Sequence, residues 1–177
     1  VGGRWRDKAN IEMLSAQHLY DTDVKVIIKN ADNSNERQCR QIDSLVDEGV
    51  DLLVVSPNDY HALNKSLQRA RDKNIPIVFY DRITAMNDYT AYIGGDNIEA
   101  GRKMAEYAAM LCRDSVKTEG RRPIVLEMSG PSDMSPAVQR HSGFSETMKQ
   151  YPSIEYHNVP GQWSYDDCKR IMQRWLK

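Results

Sequence analysis

Two apolar segments of this chain end in residues whose side chains can hold a polar small molecule. The run Val50–Val55 ends at Ser56, and the run Ile75–Tyr80 ends at Asp81 and Arg82. A carboxylate accepts two hydroxyl hydrogen bonds and a guanidinium presents several donors in a fixed fork, so Asp81 and Arg82 match vicinal hydroxyls or a carboxylated sugar. An internal ion pair that ends the strand explains the same spacing equally well.

Other candidate contacts are one arginine and two tryptophans. Arg140 follows the helix start Ser135–Pro136, from where it could reach into a crevice, although spacing alone favours a solvated arginine. Trp163 precedes a helix cap, and Trp5 lies near the start of the chain. Aromatic faces stack on the C–H faces of sugars, while peripheral core packing is the alternative for both tryptophans.

Catalytic and cofactor motifs are absent from the sequence. It contains no G-x-S-x-G, Walker A, H-E-x-x-H or G-x-G-x-x-G pattern, since Gly94–Gly95 is followed by Asp96–Asn97. The cysteines Cys39, Cys112 and Cys168 are widely spaced and form no CxxC pair, which argues against zinc. We therefore expect a non-enzymatic domain without a cofactor or metal.

Composition indicates a globular chain. Its 177 residues are 40% hydrophobic and 28% charged, with a net charge of −1. This balance gives no argument for nucleic acid as a partner. No apolar run approaches the roughly 20 residues that span a bilayer.

The positions of apolar residues predict alternating helices and strands. Ser34 and Gly49 fit the first and last caps of one helix, and Ser164 fits the cap of another. The predicted helices are Asp7–Tyr20, Asn35–Glu48, one from Asn58 or Asp59 to about Lys73, Ile98–Cys112, Ser135 to about Tyr151, and Ser164 to Lys177. The predicted strands are Val24–Ile28, Val50–Val55, Ile75–Tyr80, Tyr92–Gly94, Ile124–Met128 and Ile154–Val159, with a charged loop over Arg113–Arg122.

Strands that alternate with helices in this way predict an α/β fold with doubly wound parallel sheets. The strands are continuously apolar, which is typical of strands buried on both faces. In such sheets, ligands bind outside the carboxyl ends of the strands, where Ser56 and Asp81–Arg82 fall.

Four segments resemble the type I periplasmic binding protein superfamily, which includes ribose-binding proteins and the lactose-repressor core. They are VDLLVVSPND (50–59), IPIVFYDR (75–82), YIGGDNIEAGRKMAEY (92–107) and PAVQRHSGF (136–144). The opening WRDKANIE (5–12) is similar to a motif of carbohydrate-sensing extracytoplasmic domains of hybrid two-component histidine kinases.

This resemblance implies a ligand site between two lobes. Asp81 and Arg82 would contact a sugar from the first lobe and Arg140 from the second, while Trp163 would stack on it. Trp5 and Arg6 fall after the first strand of the family. Ser56 stands where sugar binders often have Asn, so the particular pentose or hexose stays open.

The resemblance also implies a division of the chain. Residues 1–95 would form the first lobe, lacking its first strand, and residues 96–177 the start of an incomplete second lobe. The sequence would then be a fragment of a periplasmic domain of an inner-membrane protein. Its partner would be a small carbohydrate, and this chain would bind no nucleic acid. It would contact the membrane only through flanking segments, and whether it forms a homodimer stays open.

Three functions remain open from the sequence. The first is a sensor domain that signals by hinge closure to a histidine kinase. The second is a free sugar-binding protein of an ABC transporter. The third is the effector core of a lactose-repressor-type regulator, which would need a helix-turn-helix segment upstream.

Overall fold

The computed structural model describes residues 3–20, 23–119 and 122–177, without the side chains of residues 3–6, 20 and 114–119. The helices of this part of the chain are α1 (Gly3–Gln17), α2 (Asn35–Glu48), α3 (Asn64–Asp72), α4 (Asn97–Glu119), α5 (Ser135–Met148) and α6 (Tyr165–Trp175), and a 3-10 turn, His18–Tyr20, follows α1. The strands are β1 (Leu53–Val55), β2 (Ile77–Tyr80), β3 (Ala91–Ile93), β4 (Ile124–Ser129) and β5 (Glu155–Pro160).

Strands β1, β2 and β3 form a parallel sheet in that order. In its register, Val55 lies opposite Phe79, and Phe79 lies opposite Tyr92. A parallel pair needs a crossover connection, which α3 supplies between β1 and β2. The carboxyl ends of these strands therefore lie at one edge of the sheet.

The core of this sheet lies on the side of α2 and α3. Leu53, Ile77 and Phe79 of the strands are at most 3% exposed, and they pack with Val46 of α2 and Leu67 of α3, which are at most 1% exposed. Each apolar side chain buried in this way contributes roughly 1.5–3 kcal/mol. This packing holds the strand ends in fixed positions.

The other face of the same sheet is less closely covered than its apolar strands predict. Val54, between two buried residues of β1, is 46% exposed. It borders a cavity of about 400 Å³ that is also lined by Met13 of α1 and by Ile28. The cavity separates α1 from the sheet.

Strands β4 and β5 form a second parallel sheet in the described residues, with Leu126 opposite His157. Helix α5 connects the two strands and packs on α4. The centre of this core is formed by Ala105 and Ala109 of α4 together with Phe144 and Met148 of α5, all at most 8% exposed.

Three predicted elements differ from the structure. Residues 24–28 form no strand, and Val26 N–H donates to the side-chain Oε1 of Gln17 at 2.7 Å instead of to a neighbouring strand. The predicted loop Arg113–Arg122 is wrong for residues 113–119, because α4 continues to Glu119, while residues 120–121 lie outside the described residues. Lys, Arg and Glu are good helix formers even without an apolar stripe. The helix expected at Asn58 or Asp59 begins only at Asn64.

The local signals for helix ends were more reliable. The Ser34 hydroxyl accepts Arg37 N–H at 3.2 Å, and the Ser164 hydroxyl accepts Asp167 N–H at 3.2 Å, which confirms both N-caps. Gly49 ends α2 with a φ of 75°, a left-handed conformation that favours glycine. Among the helices described, none is long and apolar enough to cross a membrane.

Candidate functional site

The carboxyl end of β1 places Ser56 at the carboxyl edge of the three-stranded sheet. Ser56 is 8% exposed, and its carbonyl oxygen accepts a hydrogen bond from Gln38 Nε2 at 3.0 Å. Gln38 Oε1 in turn accepts Asn58 N–H at 2.9 Å. A single side chain of α2 therefore fixes the turn that presents Ser56.

The carboxyl end of β2 places Asp81 at the same edge. Asp81 has a φ of 62°, and its N–H donates to the carbonyl oxygen of Ile93 at 2.9 Å, so it remains attached to β3. Arg82 Nε lies 3.8 Å from Asp81 Oδ2, which is an ion pair without a direct hydrogen bond. The internal ion pair is thus present, on a residue whose left-handed backbone is typical of ligand and active sites.

Tyr92 connects the backbone of Asp81 to the segment Gly94–Asp96, where the chain passes from the first sheet to the second and which we call the crossing. Its hydroxyl lies 3.3 Å from the carbonyl oxygen of Asp81 and 3.4 Å from that of Gly95, so its one O–H can donate to either acceptor. Burial raises the pKa of Tyr92, the charge of Asp81 raises it further, and Arg140 opposes this effect. The charges of Asp81, after β2, and of Arg140, on α5, therefore both influence the Tyr92 hydroxyl.

Arg140 projects from α5 and is held by a buried amide. Its Nε donates to Asn97 Oδ1 at 2.9 Å, and Asn97, at the start of α4, is 7% exposed. Asn97 Nδ2 donates to Gln139 Oε1 at 3.4 Å and to the Gly95 carbonyl oxygen at 3.3 Å. Asn97 therefore holds the Arg140 guanidinium close to Gly95, while Arg140 as a whole remains exposed to solvent.

Trp163 presents its indole beside Arg140. Gln162 and Trp163 both have left-handed backbones, with φ of 53° and 52°. A Cβ atom added to Gly130 would lie 2.4 Å from the Trp163 ring, so the indole covers this glycine. The ring is 39% exposed and, with Arg140 and Met128, lines a cavity of about 640 Å³.

The structure brings some of the predicted residues together and leaves others apart. Arg140 and Trp163 line one cavity, and the charges of Asp81 and Arg140 both act on the Tyr92 hydroxyl. Ser56 lines the separate cavity of about 400 Å³ beside Tyr80. Trp5 and Arg6 belong to α1, but their side chains lie outside the described residues.

Sequence reasoning missed Tyr92 and Asn97. Both lie in the segment YIGGDN (92–97), where two glycines between a strand and a helix mark the crossing. That position was the available signal, because polar side chains beside such a turn can reach both sheets. No group of three or more metal-ligating side chains was found within the described parts of the chain.

Replacing Tyr92 by phenylalanine is expected to flatten the alkaline pH dependence of stability. A tyrosine whose pKa is raised on folding stabilises the fold fully below its unfolded pKa of about 10, and this contribution is lost as the pH rises through the folded pKa. The free energy of unfolding should therefore fall more steeply in the wild type than in Tyr92→Phe between about pH 9 and about pH 11. Urea unfolding across this range measures the difference. Tyr165→Phe, at a residue 78% exposed, is the control that should follow the wild type, and parallel curves for Tyr92→Phe would contradict the prediction.

Comparison with known proteins gives relatives for most of the chain. The fructose-binding periplasmic domain of a hybrid two-component system is a solved structure with a TM-score of 0.79 and 34% identity, covering 97% of this chain and 55% of that chain. The ribose import binding protein of Bacillus subtilis is 29% identical over 127 residues, or 72% of this chain and 39% of that protein. The galactofuranose-binding protein of Escherichia coli is 25% identical over 154 residues, or 85% of this chain and 46% of that protein.

The chain thus spans less than half the length of these two curated relatives. Its parallel sheets and helices agree with the α/β fold of the solved structure. A family model of the periplasmic binding protein domain matches residues 2–177, and the chain therefore belongs to the periplasmic binding protein family, with its type I fold.

Proposed function

We propose that this chain is part of a sugar-binding sensor domain that holds its ligand between two α/β lobes. Residues 1–95 would belong to the first lobe and residues 96–177 to the second. The observation that carries the proposal is that Asp81, after β2, and Arg140, on α5, both act electrostatically on the Tyr92 hydroxyl, which lies 3.3 Å from the Asp81 carbonyl oxygen. The relatives named for ribose, galactofuranose and fructose binding support a sugar as the ligand class.

Each candidate residue has a defined role in this proposal. The Asp81 carboxylate accepts hydrogen bonds from sugar hydroxyls, and the Arg140 guanidinium donates to sugar oxygens. Trp163 stacks its exposed indole on the C–H face of the ring. Arg82, which is paired with Asp81, also contacts the sugar, and Ser56, Trp5 and Arg6 complete the first-lobe side of the site.

In such a domain, closure of the two lobes about a hinge transmits the binding of the sugar to another protein. The sugar shifts the equilibrium towards the closed form only by the difference between its affinities for the two forms. Asp81 and Arg140 supply that difference if they lie on different lobes, because the closed form alone engages both. The similarity to the periplasmic domain of a hybrid two-component system supports a histidine kinase as the receiver of the signal and the periplasm as the location.

A second candidate is a free sugar-binding protein of an ABC transporter. The match to a ribose import binding protein favours it. The two candidates differ in what the sugar changes, which is autophosphorylation of a kinase in one case and uptake of the sugar in the other. In both, the sugar is recovered chemically unchanged, whereas turnover would indicate an enzyme.

Calorimetry of the intact protein against a panel of sugars tests the proposal. The panel contains D-fructose, D-ribose, galactofuranose and oligosaccharides of these sugars. We expect at least one to bind with a dissociation constant in the micromolar range or below, which corresponds to about −8 kcal/mol or better. Absence of binding across the panel would contradict a sugar-binding function.

A further inference from the structure

Three loops beside the candidate site are joined by hydrogen bonds. Tyr60 N–H, after β1, donates to the carbonyl oxygen of Asp133, after β4, at 2.9 Å. Ala85 N–H, after β2, donates to the carbonyl oxygen of Tyr60 at 2.7 Å. Ile83 N–H donates to the hydroxyl of Ser135 at 2.9 Å. Each sheet therefore contributes to a single network, which we call the loop latch.

The hydroxyl of Ser135 accepts the hydrogen bond from Ile83 and does not cap α5, the helix to which Ser135 belongs. Serine followed by proline at a helix start is typical of an N-cap, but the cap position of α5 is Met134 and its side chain makes no capping hydrogen bond. Ser135 is 2% exposed, and Thr84, next to Ile83, is 1% exposed. The bond from Ile83 is therefore partly shielded from water, and an amide that loses its acceptor there is unfavourable.

The loop latch fixes the distance between the two charged ligand contacts. Ile83 comes two residues after Asp81, and Ser135 begins the helix that carries Arg140. Along α5, the five residues from Ser135 to Arg140 span only about 7.5 Å of rigid helix. A bond between Ile83 and Ser135 therefore sets where the guanidinium stands relative to the carboxylate.

We propose that Ser135 is a positioning residue that favours the closed arrangement through the loop latch without contacting the sugar. In an open arrangement, water can hydrate the amides of Ile83 and Tyr60, so loss of the Ser135 hydroxyl disfavours the closed form selectively. The role in ligand affinity rests on the proposed function, whereas the loop latch itself does not require a ligand.

Hydrogen exchange of the intact protein carrying Ser135→Ala tests the loop latch. Without ligand, we expect the amides of segments 58–63 and 81–86 to exchange roughly 5- to 50-fold faster than in the wild type, the scale of one buried hydrogen bond. Exchange in β4, β5 and the middle of α4 should not change. Ser142→Ala, an exposed serine on the same helix, is the matched control and should exchange like the wild type.

Affinity for the sugar identified by the panel is the second readout. We expect Ser135→Ala to bind it roughly 5- to 50-fold more weakly. The proposal would be overturned if Ser135→Ala left the exchange of segments 58–63 and 81–86 unchanged, or if it made exchange faster throughout α4 and α5. It would also be overturned if exchange became faster only in the two segments while the affinity for the sugar stayed the same. Faster local exchange in a protein that binds no sugar would support the loop latch and refute the proposed function alone.

Discussion

Replacing Gly143 by alanine is expected to lower the free energy of unfolding by about 2–3 kcal/mol, the upper part of the range for overpacked cores. A Cβ atom at Gly143 would lie 2.0 Å from the Ile98 carbonyl oxygen and 3.0 Å from Arg102 N, both backbone atoms of α4. Gly101 of α4 faces α5 in the same way, at 2.0 Å from the Arg140 carbonyl oxygen. Backbone atoms cannot move aside as a side chain can, so the helices must separate.

The expected loss of stability in Gly143→Ala has the opposite sign to the usual effect of this substitution in a helix. On an exposed helix, a change from glycine to alanine stabilises by about 1 kcal/mol through helix propensity, so a large loss can come only from the contact between α4 and α5. The midpoint of urea unfolding of the intact protein is the measurement. Gly95→Ala is the control, because no atom lies within 4 Å of the added Cβ, and it should stay within about 0.5 kcal/mol of the wild type. A Gly143→Ala protein as stable as the wild type would show that the two helices are not packed at their backbones.

Asp81→Asn and Arg140→Ala are each expected to weaken sugar binding by about 1.5–3 kcal/mol, the scale of a hydrogen bond to a charged group, or roughly 10- to 150-fold in the dissociation constant. Asparagine tolerates the left-handed backbone of Asp81, at a φ of 62°, about as well as aspartate does. Asp81→Asn therefore removes the negative charge and keeps the turn. Calorimetry with the sugar identified by the panel is the measurement.

A surface arginine provides the control for the second of these variants. Arg40 of α2 has a side chain 66% exposed and pairs with Glu36 one turn away. Arg40→Ala removes the same charge as Arg140→Ala and should leave the dissociation constant unchanged. Full affinity in both Asp81→Asn and Arg140→Ala would place the sugar outside the proposed cleft.

Features that depend on neighbouring residues could be predicted from the sequence. The caps at Ser34 and Ser164 join residues only three positions apart, so residue type and spacing were sufficient. The position of Asp81 at a strand end followed from the run of apolar residues before it. The parallel arrangement made this end part of the same edge as Ser56.

Features that depend on residues far apart in the chain could not be predicted from the sequence. Arg140 and Asn97 are 43 positions apart, and Ile83 and Ser135 are 52 positions apart. Nothing in the local pattern indicates which donor meets which acceptor over such distances. Ser135 illustrates this, because its type and position fit an N-cap while its hydroxyl accepts a bond from another loop.

Two further misassignments have different physical origins. Residues 24–28 have the composition of a strand, but a strand exists only where a neighbour pairs with it, and Val26 N–H meets a side chain instead. The charged segment after Cys112 lacks an apolar stripe, yet the helix continues through it to Glu119. The first misassignment reflects a missing partner outside the segment, whereas the second reflects helix propensity within the segment, which an apolar stripe is not needed to express.

A crystal structure of the intact protein with the sugar identified by the panel tests the central claim most directly. We predict one sugar at the crossing, with hydroxyl oxygens within about 3.2 Å of both the Asp81 carboxylate and the Arg140 guanidinium, and its ring over the Trp163 indole. A sugar that contacts neither Asp81 nor Arg140 would contradict this account.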